Sequence, residues 1–160
     1  MSKNHLVSIL IVNYNNAKYL KRAINSCLNQ TYKNIEILIY DDKSIDGSKL
    51  LLLKYSKNKK IRLFFNKSSK KNIAAIDAKN SYYNLIKKSK GEYIFLLDSD
   101  DYFVKDKVFK LIKEYKKDKN INFIQNLPLI TESNKKKLLK KDSNNFFSFW
   151  PYLAPESCIS

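Results

Sequence analysis

The sequence GEYIFLLDSDD, residues 91–101, decides the fold, because a run of buried-strand character passes directly into three aspartates. Residues 93–97 are all aromatic or aliphatic, which is typical of a strand covered on both faces of a parallel sheet. Two carboxylates about 5 Å apart at an effective dielectric near 20 repel each other by about 3 kcal/mol. The aspartates therefore need a cation, a proton or open water, and a hard divalent ion such as Mg2+ or Mn2+ takes oxygen ligands of this kind. On these residues alone, a solvated acidic turn that opens the next helix is the alternative.

Strand-like and helix-like segments alternate on both sides of this stretch. Branched apolar runs predict further strands at residues 6–12, 35–40, 61–65 and 121–125. Apolar spacing predicts a helix after residue 16 and others near residues 49–56, 73–88 and 106–117. The alternation predicts an α/β fold with a mostly parallel central sheet and an ordered core over about residues 6–127.

The helical spacing also predicts which side chains face inward. Asn15 or Asn16 is predicted to cap the first helix. The predicted inward-facing residues are Ala17, Leu20, Ala23, Ile24, Cys27 and Leu28 in the first helix, Ile76, Tyr83 and Ile86 in the third, and Val108, Leu111, Ile112 and Tyr115 in the fourth.

Polar loops follow three of the predicted strands, at residues 13–16, 41–48 and 98–101. The carboxyl ends of parallel strands open onto one edge of a sheet, where open α/β sheets bind their ligands. Only two glycines occur, Gly47 and Gly91, which excludes a glycine-rich dinucleotide turn and a P-loop. His5 is the sole histidine, which argues against a histidine zinc site and a Ser-His-Asp triad. A cation held by the acidic loop is then the natural means of binding a diphosphate.

The net charge of +16 comes almost wholly from lysine, since Arg22 and Arg62 are the only arginines. Scattered lysines favour a solvated surface over a nucleic-acid patch, which generally relies on arginine forks, so we expect no nucleic-acid partner. A basic module for nucleic acid or anionic lipid is a further hypothesis, which salt-dependent binding would reveal. Residues 6–12 are too short an apolar run for a membrane span, and Cys27 is predicted to be a buried free thiol. We expect a cytoplasmic protein, with peripheral contact to the anionic inner face of the membrane as an option.

Four segments together resemble the family 2 glycosyltransferases with the GT-A fold. They are VSILIVNYN at residues 7–15, LNQTYKNIEI at 28–37, DDKSIDGS at 41–48, and GEYI at 91–94 leading to DSDD at 98–101. The resemblance covers residues 6–117. It implies a Rossmann-like three-layer sandwich, and a single nucleotide-sugar-binding domain over residues 1–160 in which 128–160 begin an incomplete acceptor-side region.

The resemblance also implies a reaction and a set of site residues. Family members transfer a sugar, usually from a UDP-sugar, to a glycan or lipid-linked acceptor, with inversion. The nucleotide-sugar site would comprise Val12, Tyr14, Asn15, Asp42, Lys79, Asp98, Ser99 and Asp100. Within it, Val12 and Tyr14 would line the base pocket, Asp42 would bind uracil, and Lys79 would stand where relatives carry an arginine. Asp98 and Asp100 form the DXD motif and would bind Mn2+ or Mg2+.

The chain departs from the family pattern at several points. Val12 replaces a proline or threonine, and Lys43 replaces a common glycine, which predicts a local change of backbone. The general base of relatives lies beyond residue 160, and Glu156 is not assigned that role. A truncated, non-catalytic fragment that binds only nucleotide or a partner chain is therefore the alternative function. The aromatic residues 146–152 are predicted to be core, or else a platform for a ligand.

Overall fold

A computed structural model of the chain describes residues 4–67, 74–117, 129–132 and 135–138. The predicted strand at 121–125, the aromatic residues 146–152, Glu156 and Cys158 lie outside the described residues. The elements in order are β1 Val7–Asn13, α1 Ala17–Leu28, β2 Ile35–Asp41, α2 Ser48–Leu53, β3 Ile61–Phe65, α3 Ala74–Lys88, β4 Tyr93–Asp98, α4 Lys107–Lys117, β5 Leu129–Glu132 and β6 Lys135–Leu138.

Strands β1 to β4 form a parallel sheet in the order β3-β2-β1-β4, which confirms the predicted parallel sheet. The chain builds outward from β1 through β2 to β3 and then crosses back to place β4 on the other side of β1. Strand order therefore reverses between β1 and β4. In open α/β sheets this switch point is where ligands bind, outside the carboxyl ends of the strands.

Helices cover both faces of the sheet and give the predicted three layers. Apolar residues of α1, α2 and α4, including Leu20, Leu52 and Val108, pack against one face. Leu85 of α3 packs with Leu10 and Leu38 against the other. The strands are nearly continuous apolar runs because both of their faces are covered.

The amino edge of the sheet is closed by polar contacts among Ser8, Glu36, Arg62, Lys90 and Gly91, which we call the amino-edge network. The buried Glu36 carboxylate accepts hydrogen bonds from the Ser8 hydroxyl at 2.7 Å, the Lys90 N–H at 2.5 Å and the Arg62 guanidinium at 3.1 Å. The Gly91 N–H donates to the Ser8 Oγ at 2.8 Å. A Cβ at position 91 would lie 2.5 Å from the Ser8 nitrogen, so only glycine fits.

The predicted inner faces are largely confirmed for α1 and α4, and in α3 the prediction is wrong for Tyr83 and Ile86, while the side chain of Ile76 lies outside those that the structure describes. Cys27 is a buried free thiol whose pKa burial raises to about 12. In α3, Tyr83 is 57% exposed and Ile86 42% exposed, whereas Leu85 is fully buried.

Strands β5 and β6 form an antiparallel pair that the sequence did not predict. Their segment is rich in lysine and polar residues, which do not show the alternation expected of a half-buried strand. None of the described helices is both long and apolar enough to cross a membrane.

Candidate functional site

The loops after β1, β2 and β4 meet at the carboxyl edge of the sheet, as the sequence predicts. The parallel register sets Val12 beside Asp98 and Asn13 beside Asp41. Alternation along the strands directs Val12 toward the α3 face, where it packs against the cluster of Leu10, Leu38 and Leu85. The edge thus brings residues from three separate parts of the sequence to the switch point.

The loops after β1 and β2 are fastened together through Ser44. Its Oγ accepts hydrogen bonds from the Asn13 side-chain amide at 3.0 Å and from the Asn15 N–H at 2.9 Å. Asn13 also donates to Asp41 at 2.8 Å, and the Asn15 side-chain oxygen accepts the Ile45 N–H at 2.8 Å. The side-chain oxygen of Asn15 therefore helps to hold the β2 loop against the β1 loop.

The first helix is capped from the second loop, which corrects the prediction that Asn15 or Asn16 caps it. Asn16 occupies the N-cap position without a side-chain cap hydrogen bond. Instead, the Asp46 carboxylate accepts the Ala17 N–H at 2.7 Å. Burial acts to raise the pKa of Asp46, but hydrogen bonds from Ser48 and from the Ala17 N–H hold it below the ordinary value.

The residues expected to bind the nucleotide base lie in the two loops that Ser44 connects. Tyr14 is 58% exposed, so its ring is open to a ligand. Asp42 is half-buried, and one of its oxygens accepts a hydrogen bond from the Asn66 side chain. Lys43, where the family pattern has glycine, has φ of 62°, which is a left-handed conformation that glycine adopts most easily.

The acidic loop after β4 is held from both sides of the sheet. From the α3 side, the Tyr82 hydroxyl donates to the Asp98 carboxylate at 2.7 Å. From the α1 side, the Asn16 side-chain amide donates to the Ser99 Oγ at 2.9 Å, and Arg22 donates to the Asp100 carbonyl oxygen at 2.7 Å. The loop therefore presents its carboxylates from a fixed backbone.

Among the aspartates of the acidic loop, Asp101 has a strongly raised pKa. Burial and, next, the charge of Asp100 raise its pKa from 3.8 to about 6, against the opposing effects of Lys107 and Arg22. Its Oδ2 is buried without a hydrogen-bond partner in the described part of the chain. Burial likewise lowers the pKa of Lys107 to about 8, although Asp101 acts to raise it.

The acidic loop fits a metal ion that a ligand helps to hold. Among the residues that the structure describes, no group of three or more histidine, cysteine, aspartate or glutamate side chains is placed to hold a metal. Asp98 and Asp100 are half-buried oxygen donors, which suit Mg2+ or Mn2+. Mg2+ is commonly held by one or two carboxylates, with substrate phosphates and water completing its coordination. Two aspartates on one loop match that mode.

Lys79 lies apart from the hydrogen-bonded site residues. It is exposed on α3, one turn before Tyr82, and so nearer the carboxyl edge than Tyr82. The structure brings together Val12, Tyr14, Asn15, Asp42, Asp98, Ser99 and Asp100 at this edge, and it leaves Lys79 exposed on the flanking surface of α3.

Sequence reasoning missed three residues that shape this edge, Arg22, Ser44 and Tyr82. Ser44 lies inside the quoted second loop, but its partners are about thirty residues away in sequence. Tyr82 precedes Tyr83, which was expected to be buried in its place. Arg22 had one usable indication, because it is a rare arginine in a lysine-rich chain.

Comparison with known proteins identifies the family of this chain. The family described as Glycosyl transferase family 2 matches residues 8–156. The chain belongs to glycosyl transferase family 2. It is 36% identical over 131 residues to an uncharacterized glycosyltransferase of Haemophilus influenzae, a match covering 81% of this chain and 46% of that protein. It is 35% identical over 121 residues to the Escherichia coli UDP-Glc:alpha-D-GlcNAc-diphosphoundecaprenol beta-1,3-glucosyltransferase, covering 76% of this chain and 45% of that enzyme.

Solved structures show that this family 2 chain has the GT-A fold. Staphylococcus aureus TarS 1–349 in complex with UDP-GlcNAc matches with a TM-score of 0.60 and 21% identity over 69% of this chain and 31% of that one. The mannosyltransferase PcManGT of Pyrobaculum calidifontis, in complex with GDP-Man and Mn2+, matches with a TM-score of 0.61 and 16% identity over 71% of this chain and 33% of that one. The chain spans less than half the length of these curated relatives and about a third of these structures.

Proposed function

We propose that this family 2 chain binds a nucleoside diphosphate sugar, with UDP as the nucleotide, for sugar transfer to a glycan or lipid-linked acceptor. The observation that carries the proposal is the meeting of three polar loops at the switch point of a GT-A sheet, with Tyr14 and Asp42 on one side and the acidic loop on the other. The relatives support it, because the E. coli enzyme is named for UDP-Glc and TarS was solved with UDP-GlcNAc.

The base would be bound at the β1 and β2 ends of the site. The exposed Tyr14 ring would offer an apolar surface for stacking, Val12 would line the same pocket, and Asp42 would offer a carboxylate oxygen to the imide N–H of uracil. The Ser44 joint keeps these two loops at a fixed separation, and Asn15 helps to build it. Lys79, exposed on α3, supplies a positive charge on the phosphate side of the edge.

The diphosphate would be bound at the acidic loop. Asp98 and Asp100 would hold Mn2+ or Mg2+, with Ser99 between them tied to Asn16. The ion, when bound, neutralises charge that develops on the departing diphosphate. Tyr82 would help to orient the Asp98 carboxylate, because its hydroxyl donates a hydrogen bond to one of the carboxylate oxygens.

The acceptor and the remaining parts of the reaction extend beyond the described residues. We propose one GT-A domain over residues 1–160, with an ordered core at about 6–127 and an acceptor-side region from 128 onward. Inversion at the sugar requires a general base near the acceptor hydroxyl, and no described residue is assigned that role. The setting consistent with UDP-sugar donors is the cytoplasm, including the inner face of the membrane.

Calorimetric titration tests the donor site. We expect UDP to bind in the presence of Mn2+ and to bind more tightly than CDP, because the uracil imide N–H donates to Asp42 whereas N3 of cytosine carries no hydrogen. Asp100→Asn should weaken Mn2+-supported UDP binding by at least the roughly tenfold that even loss of an outer-shell partner produces. Failure of the wild-type chain to bind UDP with Mn2+ would reject the donor site.

Asp106→Asn is the matched control, because it removes an aspartate from the same stretch outside the acidic loop. Asp106 pairs with Lys110 at 2.7 Å on an exposed surface, and asparagine is an equally good residue at a helix start. Its UDP affinity should equal that of the wild type. UDP-sugar hydrolysis by the chain then separates the two functional readings, since UDP binding without any hydrolysis or transfer supports a nucleotide-binding fragment.

A further inference from the structure

Arg22 contacts both the acidic loop and two aromatic rings at the carboxyl edge of the sheet. Its Nη2 donates a hydrogen bond to the Asp100 carbonyl oxygen at 2.7 Å. Its guanidinium carbon lies 4.7 Å from the centroid of the Tyr102 ring and 5.7 Å from that of Tyr19. The guanidinium group thus binds the backbone of the acidic loop while it lies against two aromatic rings. Tyr19 belongs to α1, and Tyr102 directly follows the acidic loop.

The choice of arginine is informative in this chain. Basic residues number 31, and all but Arg22 and Arg62 are lysines. A lysine ammonium is a compact point charge, so it cannot stack on a ring and direct a planar N–H fork at a carbonyl in the same way. Both arginines donate a hydrogen bond to a backbone carbonyl, Arg22 to that of Asp100 and Arg62 to that of Lys88.

The contact completes a three-point attachment of the acidic loop. Tyr82 binds the side chain of Asp98, Asn16 binds Ser99, and Arg22 binds the backbone of Asp100. Within the loop, the Asp101 N–H donates to the Asp98 carbonyl oxygen at 3.1 Å and closes a turn. Holding the Asp100 carbonyl fixes the peptide group between Asp100 and Asp101. It thereby limits changes in the distance between the Asp98 and Asp100 carboxylates.

We propose that Arg22 is a positioning residue, which holds the Asp100 backbone so that the Asp98 and Asp100 carboxylates are pre-arranged for the metal-bound diphosphate. This inference rests on the proposed function. Arg22 acts through the loop and does not contact the donor itself. Pre-arrangement lowers the amount of Mn2+ needed, because the ion does not have to order its own ligands when it binds.

Arg22→Lys tests the proposal because it keeps the charge and removes the fork. We expect the Mn2+ concentration that half-saturates UDP binding to rise roughly tenfold, the size of one lost charge-assisted hydrogen bond. At saturating Mn2+ the UDP affinity should return to within about twofold of the wild type, since the base pocket is intact. In the metal-free protein, hydrogen exchange at the Asp101 amide should accelerate by roughly fivefold or more as the turn loosens.

Arg62→Lys is the matched control, since Arg62 also donates to a backbone carbonyl, that of Lys88, and lies over a ring at the opposite edge. It should lower the free energy of unfolding and leave the Mn2+ half-saturation unchanged. An Arg22→Lys protein with wild-type Mn2+ half-saturation, or with unchanged exchange at Asp101, overturns the inference. A wild-type chain that binds no UDP at any Mn2+ concentration instead rejects the proposed function, and the inference with it, so the two failures are distinguishable.

Discussion

At the amino edge of the sheet, the Glu36 carboxylate accepts hydrogen bonds from Ser8, Lys90 and Arg62. At the carboxyl edge, Asn13 Oδ1 and Asp101 Oδ2 are buried with no hydrogen-bond partner in the described part of the chain. Buried polar atoms are nearly always paired, so an unpaired one calls for an explanation. The amino edge is a closed structural network, whereas the carboxyl edge keeps two buried acceptor atoms whose hydrogen bonds the described residues do not supply.

Backbone conformation differs between the two edges in the same direction. Both non-glycine residues with positive φ in the described residues, Asn15 at 53° and Lys43 at 62°, lie in loops at the carboxyl edge. Such conformations cost about 1–3 kcal/mol each and persist where the surrounding structure imposes them. The amino edge instead uses glycine for its closest contact. Strain and unpaired groups are therefore concentrated where we place the ligand.

The largest expected effect is at the amino edge, for Gly91→Ala. The new Cβ would lie 2.5 Å from the Ser8 nitrogen and 2.6 Å from its Oγ, so β1 and β4 must separate. We expect a loss of about 3 kcal/mol in the free energy of unfolding, measured with urea. Gly47→Ala is the control, because nothing lies within 4 Å of its added Cβ and only its φ of 92° opposes the change. A larger loss for Gly47→Ala would contradict the close-packing explanation.

Glu36→Gln should cost about 2 kcal/mol at neutral pH, because three donors lose a charged acceptor. Burial alone would raise the pKa of Glu36, but hydrogen bonds from Ser8, Lys90 and Arg62 bring it below its ordinary value of 4.5. The folded protein therefore gains stability above that pH and loses it as the pH falls through the lowered pKa. Urea unfolding from neutral pH to about pH 3 should show the wild-type advantage shrinking in acid. A constant difference across this range would exclude the charge as its source.

The serine pair Ser8→Ala and Ser44→Ala compares the two edges at equal chemistry. Each hydroxyl makes two side-chain hydrogen bonds, so each change should cost about 1–2 kcal/mol. Only Ser44→Ala should also weaken UDP binding, by roughly fivefold, because it releases the loops that carry Tyr14 and Asp42. Calorimetric UDP titration beside urea unfolding separates the effects. Equal UDP affinities in the two variants would break the proposed division between edges.

The smallest effect is expected for Asp101→Asn, and its sign is opposite to that of Glu36→Gln. Burial and the charge of Asp100 raise the pKa of Asp101 to about 6, so the ionised form opposes folding at neutral pH. With a chelator present, the variant should be more stable at neutral pH by at most about 1 kcal/mol after solvent screening. The wild type should regain this difference as the pH falls from above 6 toward 3.8. A destabilised variant at neutral pH would show that the carboxylate is satisfied in the fold.

The strands and the three loops could be predicted because their causes are local. Continuous apolar runs mark β1, β2 and β4, and polar residues follow each of them directly. Parallel pairing then dictates that residues 13–16, 41–48 and 98–101 share one edge. The family resemblance supplied the roles of individual residues, and the match over residues 8–156 confirms the family itself.

The contacts that hold the site together could not be predicted, since they join residues far apart in the chain. Arg22 and Asp100 are 78 positions apart, and Gly91 and Ser8 are 83 positions apart. The inner face of α3 also depended on tertiary packing, which buries Leu85 and leaves Tyr83 and Ile86 exposed. The helix cap from Asp46 replaces a local cap with one from another loop, which no rule about neighbouring residues would find.

The seating of Gly91 against Ser8 has a consequence for how the chain tolerates changes of length. From Gly91 onward, β4 is paired residue by residue with β1, from Tyr93 beside Val7 to Asp98 beside Val12. A slip by one residue would turn every side chain of β4 to the wrong face, so the pairing can only be kept whole. We therefore expect insertions or deletions between β3 and Gly91 to be accommodated before β4 begins. The constant number of residues from Gly91 to Asp98 then fixes the position of the acidic loop relative to β1.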